Sequence, residues 1–313
     1  MGSTMKYKVL GNTGLRVSEL SFGAASFGTA AKQIDDATSI RTVRVALDLG
    51  INLIDVSPYY GITRAEELVG KGMEGIPRDR YILATKAGRY GTNEFDFSPQ
   101  RLRRSVEESL QRLKTDYLDI LQLHDVEYSP LDCIIAESIP TLMRLKEEGK
   151  TRYLGITGYP LKIFNRVLVS AQLDTILSFC HYTLADTTLN TILPLVKEKG
   201  VGLISGSPFG MGLLTDRGPF PWHPADEAVK SVCRRAAEHC RTQGANLAKL
   251  ALQFSTDNEE IPTTLVGSAS PERMKQNVAW IDEPMDAQLL QDVRRILEPI
   301  KDRAWKSGLE ENN

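Results

Sequence analysis

Short apolar runs alternate with longer amphipathic segments along the chain. Apolar runs of this length are typical of buried β-strands, and segments whose apolar residues recur every three or four positions are typical of helices. The apolar runs cover residues 20–23, 52–55, 81–86, 117–124, 151–157, 175–180, 202–205 and 263–266. Helices are predicted from about residue 36, from about residue 66, from Ser98-Pro99, up to Gly149, from Pro160, near Thr188 and from Pro271, with a long loop after the run 202–205. The pattern therefore predicts eight βα units.

Eight parallel strands joined by helices fit either a closed barrel or a doubly wound sheet. A doubly wound sheet that binds a dinucleotide carries Gly-x-Gly-x-x-Gly between its first strand and helix, and no such motif stands there. We therefore predict an α/β fold with a single (β/α)8 TIM barrel that forms one domain over residues 1–313. Gly11-Asn12-Thr13-Gly14 separates the short runs 7–10 and 15–17, which predicts an N-terminal β-hairpin that plugs or covers the barrel.

Composition narrows the class of protein. Hydrophobic residues make up 42% and charged residues 25%, the formal net charge is -2 and the pI is about 6.2. These values are typical of a globular protein without the positive field that attracts nucleic acid, and no apolar stretch has the length of a membrane span. The four cysteines lack CxxC spacing and the histidines lack metal-ligand spacing. We expect a cytoplasmic protein with no metal, nucleic-acid or membrane partner.

Four chemically active side chains stand where predicted strands end. Asp55 and Tyr60 follow the second strand, Lys86 ends the third and His124 ends the fourth. Alone, each admits a structural role as a helix cap, a half-buried aromatic, a solvated charge or a core histidine. Because the C-terminal ends of barrel strands converge on the face where barrel enzymes have their active sites, the four together indicate a catalytic group.

The four residues suit one kind of chemistry. A tyrosine, with an unperturbed pKa of about 10, needs a neighbouring cation to exchange protons near neutrality. We expect Lys86, held by Asp55, to lower the pKa of Tyr60, and His124 to orient the reacting oxygen. This set suits hydride transfer to or from a carbonyl, because the developing alkoxide needs a proton donor and polar surroundings but no nucleophile or metal.

The sequence resembles the aldo-keto reductase superfamily over essentially its whole length. Asp55, Tyr60, Lys86 and His124 match that family's catalytic tetrad in order and spacing, and the segment 11–15 matches its opening hairpin. The resemblance implies a (β/α)8 barrel that binds an extended nicotinamide cofactor. By position in the family, the cofactor-binding residues are Thr157, Gly158, Ser178, Ser207, Pro208, Phe209, Gly212, Leu213, Gly267, Ser268, Arg273, Gln276 and Asn277.

Some of these positions depart from the family's usual residues. Thr157 and Gly158 replace a Ser-Asn pair that binds the carboxamide, Ser178 lies near the usual glutamine, and Gly206 replaces an aromatic that often stacks on the nicotinamide. At the adenosine end, Gly267 replaces a lysine found in many members that prefer NADP. The resemblance therefore implies NAD, while Arg273 and the helix start after Pro271 keep NADP possible.

Within the superfamily, the sequence resembles the branch of aldose 1-dehydrogenases that act on L-galactose, L-fucose and threo-aldoses. The segments 55–61, 84–90, 95–98, 155–158, 180–182 and 222–224 carry this resemblance. It implies oxidation of an aldose at C1 to the lactone with NAD. A sugar needs additional polar partners, and the candidates are Tyr59, Arg89, Asp125, His181 and Trp222, the last in a loop at 213–225 that can cover an active site.

Two other functions are compatible with the same sequence features. A general NADPH-dependent aldehyde or ketone reductase would have the same fold and the same four residues. Since function does not follow from fold alone, a binding module of the potassium-channel β-subunit kind would also share the fold and the four residues. Such a module would be expected to form a tetramer. We expect a small sugar as the substrate, and either a monomer or a small homo-oligomer.

Overall fold

The computed structural model describes residues 5–28 and 35–313. Within those ranges the chain forms ten β-strands and eleven α-helices. The strands are β1 (Tyr7–Val9), β2 (Arg16–Ser18), β3 (Leu20–Gly23), β4 (Leu53–Asp55), β5 (Ile82–Ala87), β6 (Leu118–Leu123), β7 (Thr151–Gly158), β8 (Thr175–Phe179), β9 (Gly202–Gly206) and β10 (Thr263–Gly267). The helices are α1 (Asp36–Asp48), α2 (Arg64–Met73), α3 (Pro99–Leu113), α4 (Leu131–Cys133), α5 (Ile139–Glu147), α6 (Leu161–Ser170), α7 (Leu193–Lys199), α8 (Glu227–Thr242), α9 (Leu247–Thr256), α10 (Pro271–Asp282) and α11 (Ala287–Leu297).

Strands β3 to β10 close into a barrel in which each neighbouring pair is parallel. The strands follow one another around the barrel in chain order, and β10 pairs back to β3. All eight strands expected from the apolar runs are present, and every end lies within one residue of its predicted position. Almost every residue of these strands is buried, which is why the runs are continuously apolar rather than alternating. The prediction of a (β/α)8 barrel is confirmed.

The helices begin largely where local signals predict them. Ser98 caps α3 by accepting a hydrogen bond from the backbone N–H of Arg101, and Pro99 is the first helical residue. The helix expected near Thr188 is instead a 3-10 turn at Thr188–Thr191, since its threonines have low helix propensity, and α7 begins only at Leu193. The connection predicted as a long loop after β9 also contains α8 and α9. In the described ranges, no helix is long and apolar enough to cross a membrane.

The predicted N-terminal hairpin is present and plugs one end of the barrel. Strands β1 and β2 are antiparallel, and the backbone N–H of Asn12 donates to the carbonyl of Gly200 over 2.8 Å. A side chain at Gly11, which has a φ of +52°, would place its Cβ 2.3 Å from the nitrogen of Gly202. The buried hairpin residues Leu10, Leu15 and Val17 contact Leu53, Ile82, Ala84, Ile120, Leu177 and Ile204. This end is where the strands begin, so the opposite end is left for a site.

Candidate active site

The side chains of Asp55, Tyr60, Lys86 and His124 meet at the end of the barrel opposite the hairpin. Asp55 is the last residue of β4, Tyr60 lies in the following turn, Lys86 is in β5 and His124 directly follows β6. These three strands are adjacent and parallel, so their ends bring the side chains to one place. Asp55, Lys86 and His124 are only 1%, 2% and 4% exposed.

Lys86 and Asp55 form a buried ion pair. The Lys86 Nζ donates to Oδ1 of Asp55 over 2.5 Å and to the carbonyl of Val56 over 2.9 Å. Burial alone lowers the pKa of Lys86, but the Asp55 carboxylate and the Tyr60 hydroxyl outweigh it and raise that pKa. The lysine is therefore a fixed ammonium. Its Nζ lies 4.8 Å from the centre of the Tyr60 ring.

Tyr60 differs from the sequence-based expectation. Burial raises the pKa of Tyr60 to about 12, although the Lys86 ammonium opposes that rise. The expectation that Lys86 brings this pKa toward neutrality is therefore wrong, because the sequence shows the cation but not the loss of water around the phenol. Near neutral pH, Tyr60 carries its proton and is a hydrogen-bond donor.

His124 is a neutral imidazole. The pKa of His124 is lowered to about 3, chiefly by burial; Asp125 opposes this shift, and Lys86 and Arg89 add to it. Its Nδ1 lies 2.9 Å from Oγ of Ser57, and its ring stands edge-on to that of Tyr60 at 5.5 Å. The second ring nitrogen, Nε2, lies 3.7 Å from Oδ2 of Asp125.

Beside the four residues, Arg89 pairs with Asp125 and three aromatic rings lie around the arginine. The Arg89 guanidinium lies 3.9 Å from the centre of the Tyr59 ring and 5.1 Å from that of Phe95. Phe95 stacks on Tyr128 with ring centres 4.2 Å apart. The sequence predicted Tyr59, Arg89 and Asp125 as substrate-binding candidates but missed Phe95 and Tyr128. In the sequence, both are visible only as aromatic residues in the segments that follow β5 and β6.

His181 and Trp222, the other two substrate candidates, lie apart from this group. His181 is buried, with Nδ1 2.8 Å from Oγ1 of Thr188 and its ring 4.5 Å from that of Tyr159. Trp222 is 61% exposed and stacks on Phe220. Among the described residues, neither side chain has a hydrogen bond or ring contact with Asp55, Tyr60, Lys86 or His124.

The residues expected at the carboxamide end of a nicotinamide cofactor line up across neighbouring strands. Gly158 ends β7 directly beside Ser178 of β8. The hydroxyl of Ser178 is buried and has no hydrogen-bond partner within the described residues, so it is free for a ligand. The hydroxyl of Thr157 is already engaged, because it accepts from the backbone N–H of Asp125 over 3.0 Å.

The segment expected to bind the pyrophosphate forms the loop after β9. It contains Ser207, Pro208, Phe209, Gly212 and Leu213. Gly212 has a φ of +105°, which favours glycine. Gly206, just before the loop, lies next to β8: a Cβ added there would be 3.3 Å from Cβ of Phe179. The backbone of Phe179 therefore lies beside the position where the family often has its aromatic residue, and the Phe179 ring contacts that of Tyr159 at 5.5 Å.

The residues expected at the adenosine end lie at the end of β10 and the start of α10. The side-chain amide nitrogen of Asn277 is buried without a partner among the described residues, whereas the side chains of Arg273 and Gln276 are exposed. Ser268 donates to the carbonyl of Ser270, the residue that caps α10. At Gly267 a Cβ would meet only the carbonyl of Gly23, at 3.6 Å. These residues fit the adenosine end of a nucleotide, because one buried polar group, the Asn277 amide nitrogen, lacks a partner among the described residues and the rim is open.

Three strand ends on this face carry left-handed backbone at residues other than glycine. Asp125 after β6, Cys180 after β8 and Ser207 after β9 have φ values of 55°, 66° and 59°. This conformation costs about 1–2 kcal/mol per residue, because Cβ crowds the following carbonyl. Strain of this kind concentrates at functional sites.

Comparisons with known proteins agree with this geometry. The model of the aldo/keto reductase family matches residues 19–298. The chain is 48% identical to L-galactose dehydrogenase from Arabidopsis thaliana over 98% of this chain and 99% of that protein, and 29% identical to D-threo-aldose 1-dehydrogenase from Pseudomonas sp over 85% and 90%. The holo form of an aldo-keto reductase from Bacillus halodurans superposes with a TM-score of 0.79 at 30% identity, over 97% of this chain and 99% of that one. The protein is therefore an oxidoreductase of a type that uses a nicotinamide cofactor, and it belongs to the aldo/keto reductase family.

Proposed function

We propose that the protein is an NAD-dependent aldose 1-dehydrogenase that oxidises C1 of an L-galactose or L-fucose type sugar to the lactone. The observation that carries this proposal is the convergence of Asp55, Lys86 and His124, all buried, with the partly buried Tyr60 at one end of the barrel, in a chain 48% identical to a plant L-galactose dehydrogenase. The similarity to a D-threo-aldose 1-dehydrogenase supports the same class of reaction.

The cofactor would lie across the ends of β7 to β10. Ser178 would hold its carboxamide end, Ser207 to Leu213 its pyrophosphate, and Gly267, Arg273 and Asn277 its adenosine end. Bound NAD supplies the hydride acceptor for C1. Gly267 supports NAD over NADP, because it provides no cation for a 2′-phosphate.

The four residues then manage the proton and the charge on the sugar's C1 oxygen. As the hydride leaves C1, the proton of the C1 hydroxyl passes to the oxygen of Tyr60, whose phenolate form the Lys86 ammonium stabilises. Since the pKa of Tyr60 is raised to about 12, that form is scarce near neutrality, and oxidation should become faster as the pH rises. In the reverse direction, the same hydroxyl donates its proton. His124 hydrogen-bonds the reacting oxygen and orients it.

The sugar would lie against the group of Tyr59, Arg89, Phe95, Asp125 and Tyr128. Aromatic faces suit the apolar side of a pyranose, and the Arg89–Asp125 pair offers both donors and acceptors for its hydroxyls. A site that reads hydroxyl positions rejects a mirror-image sugar by orders of magnitude, since buried polar groups are left unpaired.

A panel of aldoses with the purified protein tests the proposal. NADH formation should be fast with L-galactose and L-fucose, which share their configuration from C2 to C5, and slow with D-galactose. The same assay with NADP should give lower kcat/KM. Equal rates with the two enantiomers of galactose would exclude the sugar assignment. Activity confined to simple aldehydes with NADPH would point to a general reductase, and tight cofactor binding without turnover would point to a binding module.

A further inference from the structure

Ser57 lies between Asp55 and Tyr60 in the chain and contacts His124. The side chain is fully buried, at 0% exposure. Its Oγ accepts a hydrogen bond from the backbone N–H of Tyr59 over 3.1 Å and lies 2.9 Å from Nδ1 of His124. Within the described residues, these two groups are the hydrogen-bond partners of the Ser57 hydroxyl.

The number of protons limits how these groups can bond. The hydroxyl of Ser57 has one proton and already accepts from Tyr59, so Nδ1 of His124 is the available acceptor for that proton. If Nδ1 carried a proton instead, the serine hydroxyl hydrogen would be buried without an acceptor, which is unfavourable. The satisfied arrangement has Ser57 donating and Nδ1 accepting.

We propose that Ser57 is a positioning residue whose hydroxyl donates to Nδ1 of His124 and thereby holds that imidazole in the tautomer with its proton on Nε2. The ring has one proton to place, because burial keeps His124 neutral among the charged groups that face it: Asp125, Lys86 and Arg89. The Asp125 carboxylate, 3.7 Å from Nε2, also favours a proton on that nitrogen.

The tautomer decides what His124 offers to a substrate. With the proton on Nε2, the ring donates a hydrogen bond to the oxygen on C1, in the ground state and as negative charge develops there. With the proton on Nδ1, the ring would present a lone pair to that oxygen and could not stabilise the negative charge that develops there. This consequence rests on the proposed function, but the tautomer itself does not.

Nitrogen-15 NMR of histidine-labelled protein measures the tautomer directly, without substrate or cofactor. The His124→Gln variant identifies the His124 signals among those of the four histidines. In the wild type, Nδ1 should show the shift of an unprotonated nitrogen and Nε2 that of a protonated one. Ser57→Ala should move the Nδ1 shift toward the protonated form, whereas Ser57→Thr, which keeps the hydroxyl, should not. A wild-type proton on Nδ1, or no change in Ser57→Ala, overturns the proposal.

Kinetics provide the second readout, with a matched control. Ser57→Ala should lower kcat for sugar oxidation roughly tenfold to a hundredfold, the order expected when a buried hydrogen bond to a reacting imidazole is lost, and leave the KM for NAD within about twofold. Ser39→Ala removes another fully buried hydroxyl, which has no partner among the described residues, from α1 and should leave kcat unchanged. Equal kcat values for the two variants would contradict the proposal. If the wild type oxidises no sugar, the proposed function fails, and the NMR measurement still decides the tautomer.

Discussion

Burial leaves a single ion pair and two neutral hydrogen-bond donors at the centre of the candidate active site. Lys86 keeps its charge because its Nζ donates to Oδ1 of Asp55 over 2.5 Å. Tyr60 keeps its proton and His124 stays uncharged because burial disfavours the charged form of each. The convergence of these side chains could be predicted from the sequence, since strand ends meet at one face of a barrel. Their protonation could not, because desolvation depends on what the rest of the chain places around them.

Tyr60→Phe should lower kcat by about 10² or more, since it removes the group that exchanges the proton while the ring keeps its shape. The dissociation constant for NADH, measured by titration, should barely change. Tyr7→Phe is the control, because it removes a hydroxyl that bonds to Gly50 near the hairpin, far along the barrel from the site. Retention of more than half of wild-type activity in Tyr60→Phe would exclude Tyr60 as the acid or base.

Gly267→Lys should improve use of NADP. A Cβ at this position meets only the carbonyl of Gly23, at 3.6 Å, so the side chain fits, and its ammonium would add a charge-assisted contact of about 1.5–3 kcal/mol to a 2′-phosphate. The ratio of kcat/KM for NADP to that for NAD should rise roughly tenfold to a hundredfold. Gly267→Met, of similar length but uncharged, should leave the ratio near that of the wild type. A wild type that prefers NADP tenfold would show that Gly267 does not set the preference.

Among the elements, the C-terminal segment 301–313 shows best what sequence patterns miss. Its apolar residues show no helical or strand spacing, yet the segment packs against several loops at the end of the barrel that holds the candidate active site. Trp305 stacks on Tyr159 with ring centres 4.5 Å apart, and the backbone N–H of Leu309 donates to the carbonyl of Glu127. Helix starts such as Ser98-Pro99 are encoded within a few residues and could be predicted. This segment is positioned by residues more than a hundred positions away, which local patterns do not encode.

We expect the docking of this segment to depend on pH through Glu127. Its side chain is buried, accepts hydrogen bonds from the backbone N–H of Tyr159 and the hydroxyl of Ser307, and has its pKa raised from 4.5 to about 8, first by burial and then by Asp125. Because the pKa of Glu127 is higher in the folded than in the unfolded protein, the folded protein binds more protons between about pH 4.5 and pH 8. The stability contributed by protonated Glu127 is therefore complete below about pH 4.5 and is lost as the pH rises toward 8.

Glu127→Gln replaces this carboxyl by a neutral side chain of the same shape. The variant should lose less thermal stability than the wild type between about pH 5 and pH 8, as measured by the melting temperature at each pH. Glu137→Gln, at an exposed position, should follow the wild-type curve. Parallel curves for Glu127→Gln and the wild type would show that Glu127 does not take up a proton in the folded state.

On the scale of the whole molecule, the two ends of the barrel have different tasks. The end closed by the hairpin contains apolar packing and a cluster in which Asp119 binds Arg78 at 2.6 Å and Arg152 at 2.9 Å. The other end holds the candidate active site. The sequence predicted this division through its eight strands and the plug. It did not predict Phe95 and Tyr128, because loop side chains are placed by tertiary contacts rather than by periodicity.

Leu10→Ala tests this division of tasks. Leu10 is fully buried among the residues that close the barrel, so the substitution should lower the free energy of unfolding by about 2–5 kcal/mol through lost burial and a cavity. The kcat of the folded enzyme should stay unchanged, because the site lies at the opposite end. Val9→Ala, at a 53% exposed position, should change stability by less than about 0.5 kcal/mol. A large fall in kcat for Leu10→Ala would show that the ends are coupled.

The left-handed residues Asp125, Cys180 and Ser207 have a consequence for anyone engineering a more thermostable form of this enzyme. Glycine at each of them would relieve roughly 1 kcal/mol of backbone strain. At Asp125 that gain would be outweighed, because the change also removes the carboxylate that pairs with the mostly buried Arg89. Ser207 is only half-buried, so the gain would remain there, and a screen for heat resistance would tend to select it. Glycine at Ser207 would also loosen the loop proposed to hold the cofactor, and heat resistance would be exchanged for activity. Substitutions beside the hairpin avoid that exchange.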